Sequence, residues 1–312
     1  MPHDLKLFSG TSNLPLAEEV AEYLELHLGE IEIRTFSDGE IFVKYQENIR
    51  GADVYIIQST NSPASNLLEL FLMLDAARKS SARRVTAVVP YYGYCRQDRK
   101  DQPRVSISAK LMADLITRAG ANRLLTMDLH AAQIQGFFDI PVDHLYSSMA
   151  FTEYFRSLQL PDLVVVAPDV GSLRMARAYA KRLNAELAFI DKRRPAANAV
   201  EVLNVIGKVD GKNILIIDDM VDTAGTLCEA ARALKEKGAD MVIAAATHGI
   251  LSGPAVERLR ESVIGKVITT NTINIPEGKR FQDLEIVSVG HIFGEAIRRN
   301  YLGLSVAPLF AY

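Results

Sequence analysis

The residues best suited to chemistry lie together at 214–226, Ile-Leu-Ile-Ile-Asp-Asp-Met-Val-Asp-Thr-Ala-Gly-Thr. Four β-favouring apolar residues run into two adjacent carboxylates, Asp218 and Asp219. A short loop then offers Asp222, the hydroxyls of Thr223 and Thr226, Ala224 and Gly225, before a helical pattern begins. This spacing predicts a strand, an acidic edge, and a loop able to wrap an anion at a helix N-terminus, where unpaired N–H groups and the dipole favour negative charge. A polyol carrying a phosphate satisfies both halves, its diol on the carboxylates and its phosphate in the loop. The bland alternative makes the two aspartates helix caps and Gly225 a turn residue. It leaves the combination of paired carboxylates with Asp-Thr-x-Gly-Thr unexplained.

The elements that must hold these residues follow from periodicity. Short apolar runs alternate with amphipathic stretches almost throughout, the pattern of βα repetition around mainly parallel sheets. In the first half, Asp53–Gln58, Val85–Pro90 and Leu124–Asp128 read as strands. Leu67, Leu70, Phe71 and Leu74 mark one helix face, and Arg104–Ala119 reads as a helix closed by Gly120. In the second half, Leu163–Ala167 is a strand ending at Pro168-Asp169, Ser172–Leu183 a helix, and Leu187–Ile190 a strand ending at Asp191. After the opening motif, Leu227, Ala230, Ala231 and Leu234 line a helix that Gly238 ends, and Met241–Thr247 is a strand. Asp128, Asp169 and Asp218/Asp219 thus fall at the carboxyl ends of strands, the ligand-binding edge of open α/β sheets. Asp139-Ile140-Pro141 breaks the pattern. We therefore expect two related domains, 1–145 and 146–312.

Composition bounds the function. The 312 residues carry a net charge of −3, which disfavours non-specific nucleic-acid binding by the whole surface. Cys95 and Cys228 show neither metal spacing nor a disulfide framework. No run of 18 apolar residues and no basic leader followed by an apolar segment is present, so a cytoplasmic protein without membrane contact is expected.

The loop at 218–226 resembles the phosphoribosyl pyrophosphate signature of type I phosphoribosyltransferase folds. Five further motifs around it, in order, resemble the ribose-phosphate pyrophosphokinase family. They are Phe36-Ser37-Asp38-Gly39-Glu40, Pro90–Arg99, Asp128-Leu129-His130, Pro168-Asp169 and Asp191-Lys192-Arg193-Arg194-Pro195. The resemblance implies two tandem phosphoribosyltransferase-like α/β domains, each a mainly parallel sheet flanked by helices, with the last helix able to pack back on the first domain. It implies transfer of the βγ-pyrophosphoryl group of ATP to the 1-hydroxyl of ribose 5-phosphate, releasing AMP and feeding nucleotide biosynthesis.

Residue by residue, the resemblance places ribose 5-phosphate on Arg194, Asp218, Asp219 and Asp222–Thr226. It places ATP on Asp38, Gly39, Glu40, Arg96 and Gln97. A Gly-x-x-x-x-Gly-Lys-Ser/Thr loop is absent, but Phe36 offers a ring for adenine, and Arg96 and Arg99 offer planar cations. Without the family pattern, Ser37-Asp38-Gly39 reads as a hairpin turn, and 96–101 reads equally well as a solvated charged loop. His130 and Asp169 match the family's metal positions, for magnesium, two ions per site. A lone histidine is more often structural, and magnesium prefers oxygen. Lys192 and Arg194 match the catalytic positions, opening a loop at 195–198 without helix or strand period that closes over the phosphates in the family. The resemblance further implies a homohexamer regulated by phosphate and ADP. The Ser-x-Ser pair that binds regulatory phosphate in many members reads Ser305-Val306-Ala307 here, so that function is not carried over.

Two other readings are open. A phosphoribosyltransferase uses the same loop to attach a base, but leaves Phe36–Glu40, Arg96–Gln97 and the second half-repeat without a role. A non-catalytic regulatory paralogue would show damage at the catalytic or metal positions, whereas Lys192, Arg194, His130 and Asp169 are all present.

Overall fold

The computed structural model describes residues 4–193 and 202–310, with residues 192, 193, 202 and 203 described by their backbone. The chain divides into two compact units. One contains the described residues of Met1–Tyr146, Thr272–Asn274 and Ser288–Ala311; the other contains Ser147–Asn271 and Ile275–Val287.

Among its described residues the first unit has a parallel sheet built from β1 (Leu5–Ser9), β4 (Asp53–Ile57), β5 (Arg84–Val89), β6 (Arg123–Met127) and β7 (Val142–Leu145), paired in that order. A separate antiparallel hairpin, β2 (Ile31–Thr35) and β3 (Ile41–Tyr45), is inserted between β1 and β4. Helices α1 (Leu14–Tyr23), α2 (Ser65–Lys79) and α3 (Ser108–Ala119) connect the strands. All five residues of β4 are buried, as expected of a strand covered on both faces. On α2, Leu67, Leu70 and Leu74 are buried and Phe71 is half-buried. Helix α3 begins at Ser108 rather than Arg104, because Arg104 adopts a left-handed conformation (φ 67°) that no α-helix accommodates. The last helix, α8 (Gly290–Leu302), belongs to this unit and packs on α1. Its Gly294 permits that approach: a Cβ there would lie 2.4 Å from the Tyr23 ring.

The second unit is built on a sheet ordered β10-β9-β8-β11-β12-β13-β14. Its strands are β8 (Leu163–Ala167), β9 (Glu186–Arg193), β10 (Val202–Ile206), β11 (Asn213–Val221), β12 (Met241–Gly249), β13 (Lys266–Thr270) and β14 (Leu284–Val287). Among these described strands, β9 and β10 pair antiparallel and the other neighbours pair parallel. Helices α4 (Ser148–Ser157), α5 (Leu173–Leu183), α6 (Gly225–Glu236) and α7 (Ala255–Arg260) cover it. The apolar run of β11 divides by alternation. Ile214 and Ile216 pack with Leu227, Ala230 and Leu234 of α6, whereas Leu215 and Ile217 pack with Phe151, Phe155 and Tyr179 of α4 and α5. Each fully buried aliphatic side chain here contributes about 1.5–3 kcal/mol, so both faces fix the register of the strand that carries Asp218.

Two of the strand boundaries that differ from expectation matter for function. Strand β11 runs on through Asp218, Asp219 and Met220 to Val221, because β12 pairs with it as far as Gly249, while β8 stops pairing at Ile216. Strand β9 runs through Asp191 and Lys192 because β10 lies antiparallel beside it, with Asp191 opposite Asn204.

Candidate active site

In the second unit, the order of strands reverses between β8 and β11. From β8 the chain proceeds outward through β9 and β10; from β11 it proceeds the other way through β12 to β14. Such a switch point opens a crevice at the carboxyl ends of the two central strands, because their connections leave in opposite directions. Asp169 follows β8 and Asp218 and Asp219 lie at the end of β11, so the aspartates expected from the sequence meet at that crevice.

Ser172 links them. Its N–H donates to Asp169 Oδ1 at 3.0 Å, and its hydroxyl, 3.2 Å from the same oxygen, donates to Asp218 Oδ1 at 2.6 Å. Asp218 Oδ1 also accepts the Asp219 N–H at 2.9 Å. Burial in the crevice, together with the negative Asp219 and Asp169, pushes the Asp218 carboxyl up to about 8 from an ordinary 3.8; the bonds from Ser172 and the Asp219 N–H act in the opposite direction. Burial and the neighbouring carboxylates thus disfavour the ionised form of Asp218. Polyol hydroxyls donating to it, or a cation, would favour that form.

The loop after β11 carries the second half of the expected site. Ala224 takes a left-handed conformation (φ 60°, ψ 5°) and α6 starts at Gly225, with no side-chain cap on its N-terminus. The first N–H groups of the helix are therefore left for solvent or an anion. Thr223 and Thr226 are exposed and Gly225 is half-buried. Asp222 is turned to other work: its Oδ1 accepts from the Ser252 hydroxyl, and its carbonyl accepts the Ser252 N–H at 2.9 Å. The structure thus brings Asp169, Asp218, Asp219 and the 222–226 loop to one edge.

The residues expected to take ATP lie in the first unit, in two places. Phe36, Asp38, Gly39 and Glu40 form the exposed tip of the β2–β3 hairpin. There Phe36 N–H donates to Glu40 O (2.8 Å), Glu40 N–H to Asp38 Oδ1 (3.1 Å), and Gly39 supplies the required positive φ of 95°. The Phe36 ring is 41% exposed, with the Arg34 guanidinium 4.9 Å from its centroid. Arg96, Gln97 and Arg99 line a cleft of about 510 Å³ with Val105 and His130, and the hairpin tip is not part of that lining. Gln97 also fastens the loop to α3, accepting from Ser108 Oγ through its side chain and from Ala109 N–H through its carbonyl.

His130 is exposed at the end of a turn whose Asp128 is buried and held at φ 37°. Of the catalytic pair, Lys192 is described only by its backbone in β9, and Arg194 lies outside the described residues, as does the 195–198 stretch. Among the described residues no three His, Cys, Asp or Glu side chains converge on a possible ion position.

Sequence reasoning missed the residues that orient the site. Ser172 and Ser252 bond to its carboxylates, and His144 of β7 accepts the Leu129 N–H on Nε2 at 2.9 Å, beside His130. Periodicity puts Ser172 at a helix start, but nothing in spacing shows that its hydroxyl reaches Asp218, 46 residues away. Contacts at such separations have no periodic signal.

Residues 5–120 match the model of the N-terminal domain of ribose phosphate pyrophosphokinase, and residues 194–311 match that of the phosphoribosyl synthetase-associated domain. The ribose-phosphate pyrophosphokinase of Chlorobaculum tepidum is 56% identical over 311 residues, covering 99% of this chain and 96% of its own. That of Caldanaerobacter subterraneus is 54% identical over 310 residues, covering 99% and 98%. The crystal structure of phosphoribosylpyrophosphate synthetase from Mycobacterium smegmatis aligns with a TM-score of 0.91 at 43% identity, over 96% of this chain and 99% of that one. With both halves matched and more than half of the positions identical across almost the full length, the chain belongs to the ribose-phosphate pyrophosphokinase family.

Proposed function

We propose that this chain is a ribose-phosphate diphosphokinase, which transfers the βγ-pyrophosphoryl group of ATP to the 1-hydroxyl of ribose 5-phosphate. The products are 5-phospho-α-D-ribose 1-diphosphate, a precursor for nucleotide synthesis, and AMP. The observation that carries the reading is the switch-point cluster of the second unit, where Asp169, Asp218 and Asp219 adjoin a helix N-terminus without a side-chain cap. Ribose hydroxyls donate to Asp218 and Asp219, and the 5-phosphate lies in Asp222–Thr226, taking N–H groups of the loop and the threonine hydroxyls.

ATP is assigned to Phe36, Asp38, Gly39, Glu40, Arg96, Gln97 and Arg99. The exposed ring of Phe36 supports the base position, and the cleft joining Arg96, Arg99 and His130 supports the phosphates. In the reaction, the ribose 1-oxygen bonds to the β-phosphorus, the bond from that phosphorus to the α-phosphate oxygen breaks, and the hydroxyl proton passes to solvent. Positioning and charge neutralisation supply most of such catalysis. Lys192 and Arg194 are assigned to the migrating and leaving groups.

Magnesium is assigned to His130 and Asp169, with two ions per site. Asp169 offers the oxygen donor that magnesium takes, the rest of the shell coming from water and substrate phosphates, whereas the nitrogen of His130 suits a contact through water. When bound, it neutralises pyrophosphate charge. A cytoplasmic homohexamer is the assembly we infer from the family. Among the described residues no helix is long and apolar enough to cross a membrane.

Incubation with ATP, magnesium and ribose 5-phosphate tests the proposal, with AMP as the measured product. Pyrophosphate release on adding a base to phosphoribosyl pyrophosphate, without AMP formation from ATP, would instead establish a phosphoribosyltransferase.

A further inference from the structure

The phosphate loop contains a residue in a conformation it does not favour. Ala224 is buried and left-handed, a state that strains any side chain with a Cβ. A relaxed alternative exists. Turning over the peptide between Thr223 and Ala224 returns Ala224 to negative φ, the broad allowed region. Because the carbonyl and N–H of one planar peptide point in opposite directions, the same turn exchanges their places. A carbonyl oxygen would then face the position assigned to the 5-phosphate.

Arg258, on α7, opposes this turn. Its Nη1 donates to the Thr223 carbonyl at 3.0 Å, and the same nitrogen lies 3.4 Å from the position a Cβ would take on Gly225. The guanidinium therefore lies against the loop on the side to which the Thr223 carbonyl points, which leaves the Ala224 N–H directed away from it. The segment leading into α7 is itself tied to the loop, through the two bonds from Ser252 to Asp222. The exposed Arg258 side chain thus holds the strained peptide by its oxygen.

We propose that Arg258 is a positioning residue for ribose 5-phosphate, holding the Thr223–Ala224 peptide so that its N–H, not its carbonyl, faces the phosphate. The inference rests on the assignment of the loop to the 5-phosphate. It separates Arg258 from a general contribution of positive charge, because the effect runs through the backbone conformation of Ala224.

The test is Arg258→Met, with Arg258→Gln as a second variant that also loses reach to the Thr223 carbonyl, each measured with its melting temperature. Calorimetric titration with ribose 5-phosphate and magnesium should show weakening on the order of tenfold, the scale of one charge-assisted hydrogen bond. KM for ribose 5-phosphate should rise in parallel, with kcat and KM for ATP within about twofold of wild type. Adding Ala224→Gly to Arg258→Met should recover part of the loss, since glycine removes the strain that drives the turn. Unchanged affinity in both variants, or a loss that Ala224→Gly does not recover, would overturn the proposal. Failure of the wild-type enzyme to bind ribose 5-phosphate would instead overturn the assignment of the loop.

Discussion

Asp218→Asn should make the protein without substrate more stable while weakening its hold on ribose 5-phosphate. The Asp218 carboxyl is raised to about 8 from 3.8, chiefly by burial and then by Asp219. An acid whose folded-state value is raised costs the fold free energy as pH rises from the unfolded value towards the folded one, and the cost is constant above that. At about 1.4 kcal/mol per pH unit between the two values, the ceiling is roughly 6 kcal/mol above pH 8. Asparagine keeps an Oδ1 that can still accept from Ser172 Oγ and the Asp219 N–H. Its amide, however, does not escape desolvation, and we expect a realised gain of roughly 2 kcal/mol.

The pH dependence is the discriminating feature. The difference in unfolding free energy between variant and wild type should be small near pH 4, grow through neutrality and level off above pH 8, as followed by urea denaturation. Ribose 5-phosphate affinity at pH 7.5 should fall by roughly 10–100-fold, the loss of a hydrogen bond to a charged group. Because Asp218 must ionise to accept the ribose hydroxyls fully, wild-type binding should also release a proton near neutral pH. The heat of binding would then depend on the buffer, a dependence that Asp218→Asn abolishes. A stability difference that stays flat from pH 5 to 9 would refute the reasoning about charge in the crevice. An unaltered affinity would remove Asp218 from the substrate site.

Three further outcomes follow from the same assignments. Lys192→Ala should retain ribose 5-phosphate binding but lose roughly 10²–10³ in kcat, the scale of one preorganised donor; near-normal turnover would end its catalytic assignment. Phe36→Ala should raise KM for ATP on the order of tenfold by removing a stacking platform, with KM for ribose 5-phosphate unmoved; an unchanged KM for ATP would take the hairpin tip out of the nucleotide site. Activity titrated with inorganic phosphate should show little activation, since Ala307 stands where a second serine is expected and Ser305 Oγ is engaged by the Ala307 N–H at 3.2 Å; strong activation at millimolar concentrations would place regulatory phosphate elsewhere.

How much of this was legible in the sequence depends on the range of the interaction that fixes each feature. Leu163–Ala167 and the α6 face at Leu227, Ala230, Ala231 and Leu234 follow from local periodicity, and all four α6 residues are buried. The ends of β9 and β11 lie beyond what local composition indicates because a partner strand prolongs them: β10 carries β9 through Lys192, and β12 carries β11 through Val221. The hairpin β2–β3 was visible only as a turn at Ser37-Asp38-Gly39, since its strands are short and half-exposed.

The same distinction explains the site. That 218–226 could hold a phosphorylated polyol is a property of nine consecutive residues, and the sequence suffices for it. That Asp169 joins the same crevice depends on the reversal of strand order between β8 and β11, which no window of sequence contains. This reversal also accounts for the chemistry. It exposes the extension of β11 beyond Ile216 that β8 does not pair, and it places Ser172, at the start of α5, against Asp218. A strand end paired on one side only, half-buried carboxylates and a helix N-terminus without a side-chain cap therefore have one topological cause. An aspartate pair on a strand paired fully on both sides would lack the opening through which a ribose could reach it.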